Sequence, residues 1–255
     1  MKNREIKKFK CLKFLDGRWK EEEVSVPNEV ELKIFLNSKK FVNILCTPVD
    51  IENLIIGFLF VEGIIEKYED IKEIDIDEEN FKVSITIDKE LNFSKDELTY
   101  ASGFGKGIIF RKVGKVVNTD LKIKPMEILQ LMEKFQNCGK IYRISGAVHA
   151  SCLASNEKII TIKEDIGRHN TVDKIIGECV KKNINTEDKI IFTTGRISTE
   201  MLIKSSRIKI PVVITKKSPT AKAVELAKQL GITIVGKVRD NSFIVFSKKE
   251  RIMEA

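Results

Sequence analysis

Between residues 158 and 247 short apolar runs alternate, across polar turns, with stretches of helical spacing. KIITIK (158–163), KIIFTT (189–194), PVVIT (211–215) and ITIVG (232–236) read as strands. TVDKIIGECVKK (171–182), STEMLIKSSRI (198–208) and PTAKAVELAKQLG (219–231) read as helices, and SFIVFS (242–247) as a further strand. Short apolar strands alternating with helices leave few folds open. They predict an α/β domain whose largely parallel sheet is covered on both faces.

The first half reads differently. KKFKCLKFL (7–15), KFVNILC (40–46) and FKVSITID (81–88) alternate apolar with polar residues, as half-buried strands do. TPVDIENLIIGFLFVEGII (47–65) reads as a helix starting near Thr47 or Asp50, and the acidic EKYEDIKEIDIDEEN (66–80) as a solvated connection or edge. TYASGFGKG (99–107) is a Gly-rich loop. KPMEILQLMEKFQNCG (124–139) has helical spacing and ends in glycine. A smaller β-rich N-terminal domain over 1–125 and a C-terminal domain over 126–255 follow.

The 255 residues carry a net charge of +8, unevenly spread. Residues 62–97 hold 13 Asp and Glu against 5 Lys and Arg, a local −8, so the remainder carries +16. A basic remainder suits an anionic ligand such as a nucleotide, or nucleic acid. A single-stranded nucleic acid asks for a basic stripe with stacking aromatics; here aromatics are 7% and the lysines are scattered, which favours the nucleotide. No apolar run reaches the roughly 18–20 residues that span a bilayer, and MKNREIKKFK lacks the apolar core of a signal peptide. A cytoplasmic protein without membrane attachment is expected. The five cysteines are odd in number and form no CxxC pair, which argues against a disulfide framework and a structural zinc site.

In an open α/β sheet, ligands gather beyond the carboxyl ends of the strands, where helix N-termini face outward. Three seams have this character. EDIGRHNTVDKIIG (164–177) supplies Asp165, Gly167, Arg168, His169 and Asp173 at one strand–helix junction. Arg168 can grip a phosphate with two parallel bonds, and Asp165 or Asp173 can orient His169. TTGRISTE (193–200) brings Gly195 and Arg196 ahead of an N-capping Ser198. TKKSPTAK (215–222) offers Lys216 and Lys217, with Ser218 as N-cap and Pro219 at the first helical position. The second histidine, His149 in SGAVHASCL (145–153), has two readings: a satisfied core histidine or a member of the site.

SGAVHASCL, EDIGRHNTVDKIIG, TTGRISTE and SPTAKAVELAKQLGITIVG occur in the order and spacing of the formate dehydrogenase accessory sulfurtransferases, the FdhD family, and TPVDIENLIIGFLFVEGII looks like its N-terminal helical motif. The chain resembles that family from about residue 25 to its end. The resemblance implies a cytidine-deaminase-like three-layer α/β/α C-terminal domain with a smaller N-terminal domain, in a homodimer. It implies a maturation factor that takes sulfur from a cysteine desulfurase as a persulfide. The sulfur passes to the bis-molybdopterin guanine dinucleotide before that cofactor enters formate dehydrogenase. The cofactor residues it implies are His149, Asp165, Arg168, His169, Gly195, Arg196 and Lys216. Near the C-terminus it adds Phe243, Ile244, Val245, Phe246, Ser247 and Lys248.

One departure bears on mechanism. The family's CxxC pair falls in the Gly-rich loop, where this chain has Ser102 at the first position and Gly105 near the second. A serine hydroxyl cannot hold a persulfide. Either Cys152 replaces the missing thiol, or Cys152 packs as a small apolar residue and the protein binds the cofactor without moving sulfur; the second is expected. A zinc deaminase is excluded, because neither histidine opens an H-x-E and no P-C-x-x-C occurs.

Overall fold

The computed structural model describes residues 4–88, 98–100, 108–110 and 114–254. Strands β1 (Ile6–Leu15) and β2 (Arg18–Pro27) form an antiparallel ribbon of their own. β3 (Val30–Leu36), β4 (Lys39–Cys46), β5 (Ile71–Asp77) and β6 (Lys82–Ile87) form a sheet of order β4-β3-β6-β5, backed by α1 (Ile51–Val61). The acidic stretch therefore builds an edge strand, β5. β7 (Leu98–Tyr100) and β8 (Ile108–Phe110) pair antiparallel. Ser102 and Gly105 lie outside the described residues.

The second half follows the strand–helix alternation: α2 (Pro125–Gln136), α3 (Lys140–Ser145), β9 (His149–Ala154), β10 (Ile159–Asp165), α4 (Arg168–Lys181), β11 (Ile190–Thr193), α5 (Thr199–Arg207), β12 (Val212–Thr215), α6 (Ala221–Leu230), β13 (Thr233–Arg239) and β14 (Ser242–Ser247). They make one sheet of order β10-β9-β11-β12-β13-β14. β11, β12 and β13 pair parallel, and β10 shares their direction because β9 is antiparallel to both β10 and β11.

Side chains alternate across this sheet. Leu153, Ile191, Val213 and Ile234 meet α4, α5 and α6 on one face. Cys152, Phe192, Ile214 and Val235 meet α2 on the other. A strand places successive residues on opposite faces, so uniformly apolar strands demand cover on both. The expected three layers result. Residues 114–123 side with this half: Val117 joins its core and donates its N–H to Leu230, and Ile123 bridges to Ile252.

Three sequence expectations need correction. The ribbon's alternation does not mark a half-buried sheet, since β1 is exposed along nearly its whole length. Among the described residues β2 is the only strand paired with it, and Phe14 and Trp19 meet across the pair at 5.1 Å between ring centroids. α4 begins at Arg168 rather than 171, which moves Arg168 and His169 from the turn into the first helical turn. α6 is capped by Thr220, whose side chain accepts the Ala223 N–H, rather than by Ser218.

The two halves meet where α1 crosses α4. A Cβ added to Gly57 would stand 1.8 Å from the Asp173 carbonyl oxygen, and one on Gly177 would stand 1.8 Å from that of Asn53. Both obstacles are backbone, so relaxation needs the helices to separate. Gly177→Ala is expected to destabilise the protein by about 3 kcal/mol, the upper end of the overpacking range. A chemical-denaturation midpoint equal to wild type would contradict that crossing.

Candidate functional site: a basic rim on the C-terminal sheet

Strands β10, β11 and β12 end on one edge of the sheet, at Asp165, Thr193 and Thr215, and antiparallel β9 begins there at His149. The three polar seams and His149 thus share a rim.

Asp165 anchors it from beneath. It is fully buried, and its carboxylate accepts from Lys174 Nζ (2.6 Å), Gly167 N (2.8 Å), Asn170 Nδ2 (2.9 Å) and Thr47 N (3.2 Å). Lys174, also fully buried, donates as well to the carbonyls of Glu164 and Thr47. Asn170 reaches the Leu45 carbonyl, and the Thr47 hydroxyl accepts the Ile166 N–H. The Asp165 carboxylate is spent inside the protein, so it joins the two halves and does not orient His169. Nor does Asp173, which grips Lys204 Nζ at 2.6 and 2.8 Å. Burial pushes the Asp173 carboxyl up to about 6 against the pull of Lys204, which leaves the pair ionised at neutral pH.

Above this anchor the cationic groups converge. Arg168 packs over Gly195, where an added Cβ would press its Cβ at 3.1 Å and its Cδ at 3.2 Å. A methyl there would require Arg168 to shift by a few tenths of an ångström. The Arg168 Nε is buried and has no hydrogen-bond partner among the described residues. Arg196 is exposed on the following turn, and Arg168 and Arg196 both act on His149. His149 Nδ1 lies 3.4 Å from Thr194 Oγ1. Burial and these two arginines lower its pKa, with Asp165 opposing. His169 sits between Ser198 and Glu200; burial first, then Lys204, Arg168 and His149, depress it to about 3. Both imidazoles are neutral at physiological pH, so the rim's positive charge is arginine and lysine.

The remaining residues divide. Lys216 is exposed and reaches Gln136 Oε1 on the α2 side (2.7 Å). Phe243 and Val245 pack toward α2, and Phe246 toward the opposite core. Ser247 is buried: its hydroxyl donates to the Ile232 carbonyl and accepts the Ile234 N–H. Since β14 runs antiparallel to β13, Ser247 and Lys248 lie beside the start of β13, at the edge opposite the rim. Within one chain they are not brought to Arg168.

Cys152 is placed as a core residue. It faces the α2 side of β9, whereas His149, three residues away, falls on the other register. It is fully buried, and burial pushes its thiol well above the ordinary range. Among the described residues the exposed thiols are Cys11 and Cys138.

This arrangement sits on a chain whose residues 27–253 match the FdhD/NarQ family. The chain belongs to that family. The "Sulfur carrier protein FdhD" of Bacillus subtilis (strain 168) is 37% identical over 235 residues, 89% of each chain, and that of Staphylococcus aureus (strain Newman) 32% over the same span. A crystal structure titled as a putative formate dehydrogenase accessory protein from Desulfotalea psychrophila superposes with a TM-score of 0.80 at 28% identity, covering 97% of this chain and 99% of that one. The α/β fold of this FdhD/NarQ member is thus one already seen in a solved accessory protein. Among its described residues no helix is long and apolar enough to cross a membrane, and no group of three or more His, Cys, Asp or Glu is placed to hold a metal.

Sequence reading missed Lys174, Lys204, Glu200 and Thr47. The signal was the apolar stripe: Lys204 stands three residues after Met201 and four before Ile208, both buried, and Lys174 stands next to Ile175. A lysine on a core-facing stripe needs a buried carboxylate within reach.

The depressed histidine has a consequence for stability. In the unfolded chain His169 takes up a proton near pH 6.5, whereas in the folded chain it does so only near 3. The folded state is therefore favoured fully above 6.5 and loses that advantage as pH falls toward 3. Between pH 7 and 5 the His169 contribution to stability is expected to drop by about 2 kcal/mol. Denaturation of wild type and His169→Gln across that range checks it: the variant's pH slope is shallower, and parallel slopes would contradict the burial of a neutral ring.

Proposed function

We propose that this protein is a formate dehydrogenase maturation factor that binds a bis-molybdopterin guanine dinucleotide on the C-terminal rim. The observation that carries the reading is the convergence of Arg168 and Arg196 beside two neutral imidazoles, with the Arg168 Nε lacking an acceptor. A diphosphate supplies acceptors matched to guanidinium forks. The relatives named as sulfur carriers and the accessory-protein structure supply the context, and formate dehydrogenase, a cysteine desulfurase and a second copy of the chain are the partners this reading assigns in the cytoplasm.

GDP is the simplest probe of such a site. Calorimetric titration of wild type is expected to show binding, and Arg168→Ala with Arg196→Ala to weaken it by a hundredfold or more, since each charge-assisted contact is worth about 1.5–3 kcal/mol. Unchanged affinity in the double variant would remove the rim from the account.

Sulfur transfer is a separate matter. A buried thiol with a raised pKa is neither a nucleophile nor an acceptor for a persulfide, so the protein acts as a cofactor-binding chaperone without sulfur on Cys152. Incubation with a cysteine desulfurase and labelled cysteine, followed by peptide mass spectrometry, is expected to leave Cys152 unlabelled; label on Cys152 would overturn this part.

A further inference from the structure

Ser198, His169 and Glu200 stand in line between the first turns of α4 and α5. His169 Nε2 lies 3.3 Å from Ser198 Oγ, and His169 Nδ1 lies 3.3 Å from Glu200 Oε2. The contact is a close approach and not an aligned hydrogen bond, yet a carboxylate oxygen at this distance repels a lone pair on Nδ1, so Nδ1 carries the proton. In the neutral ring Nε2 is then a lone pair, and the Ser198 hydroxyl donates to it. Ser198 Oγ also accepts the Met201 N–H at 3.4 Å as the N-cap of α5. Behind the line, Glu200 Oε1 faces Lys204 Nζ at 3.7 Å, and Lys204 holds Asp173.

Serine, imidazole and carboxylate in this order are the parts of a hydrolytic triad. Magnitude decides against that use. Burial together with Lys204 of α5, Arg168 of α4 and His149 of β9 holds the ring's conjugate acid near 3. At pH 7 such a base holds a proton in about one molecule in ten thousand. A group that does not accept the proton cannot activate the serine. It can hold it still.

We propose that Glu200 is a positioning residue for the nucleotide site: it fixes His169 in the Nδ1–H tautomer, His169 fixes the Ser198 hydroxyl, and the fixed hydroxyl holds the Gly195–Ser198 turn that sets Arg196 beside Arg168. Both nitrogens of His169 then face groups of the protein, Ser198 and Glu200, so His169 acts through Ser198. His149, of which only Nδ1 is engaged among the described residues, by Thr194, is the histidine left to meet a ligand. This inference rests on the nucleotide-binding reading above.

The chain has only two histidines, so ¹⁵N spectra of the full-length protein contain two rings, and His149→Gln assigns them. The wild-type His169 ring is expected as the uncharged Nδ1–H tautomer from pH 7 to pH 5. In Glu200→Ala the ring is expected to stay uncharged, because burial, Lys204 and Arg168 still act on it, but to lose the fixed Nδ1–H tautomer, with the Kd for GDP raised tenfold or more. Glu200→Gln, whose amide oxygen can still face Nδ1–H, is expected to keep the tautomer and a Kd within threefold of wild type. Where Glu200→Ala does not fold, Glu200→Asp, one methylene too short to reach the ring, replaces it with the same readouts. A wild-type ring that is charged at pH 6 or protonated on Nε2 would overturn the relay. So would an altered tautomer with GDP affinity left intact. Wild type that fails to bind GDP sinks the nucleotide reading itself, while the tautomer still decides whether the relay exists.

Discussion

The ion pair between Asp165 and Lys174 is the contact on which the arrangement depends. Both side chains are fully buried and lie 2.6 Å apart. Two charges in a dry interior are tolerated only when every remaining lone pair and proton finds a partner. Here the partners come from both halves of the molecule: the Thr47 N–H and carbonyl from one, and Gly167, Asn170 and the Glu164 carbonyl from the other. Removing one member leaves an uncompensated buried charge, a loss of about 3–5 kcal/mol. Because Asp165 also holds the Gly167 N–H, the pair fixes the residue from which α4 starts, and so fixes where Arg168 and His169 point.

That explains why so many polar groups crowd one junction. They do two jobs. Asp165, Asn170, Asp173 and Lys174 face inward and bind elements together: Asn170 to Leu45, Lys174 to Thr47, Asp173 to Lys204 of α5. Arg168 and His169, at the start of the same helix, face the rim. The crossing of Gly57 against Gly177 brings α1 close enough for Thr47 to reach Asp165, so the glycines and the ion pair are parts of one interface. Cationic charge is then displayed on a support that does not depend on the ligand for its own satisfaction, apart from the Arg168 Nε.

Much of the C-terminal fold was legible because its determinants are local. Alternation of apolar strands with helices specifies a covered parallel sheet, and SFIVFS coincides with β14 from end to end. What was illegible depends on pairing across the chain. The ribbon of β1 and β2 shows the period of a strand, but periodicity cannot say how far another element covers it; α3 approaches β2, while β1 stays exposed along nearly its whole length. Sequence spacing starts α4 late because Arg168 and His169 read as turn residues, whereas the Asp165 carboxylate, reaching the Gly167 N–H, lets the helix begin beside it. Asp165 read as a ligand contact because its partners, Thr47 and Lys174, are 118 and 9 residues away. The rim residues themselves, Arg168, Gly195 and Arg196, were visible as Gly-Arg pairs at strand ends, since the open-sheet rule needs only strand order and direction.

The central claim is that the ion pair beneath the rim aims Arg168 at the phosphates of a bound guanine nucleotide. A crystal structure of the protein with GDP tests it most directly. The account predicts the diphosphate on the β10–β11–β12 edge, with oxygens about 3 Å from the Arg168 guanidinium and Asp165 still closed on Lys174. A diphosphate seated elsewhere, with Arg168 turned away from it, would contradict the account.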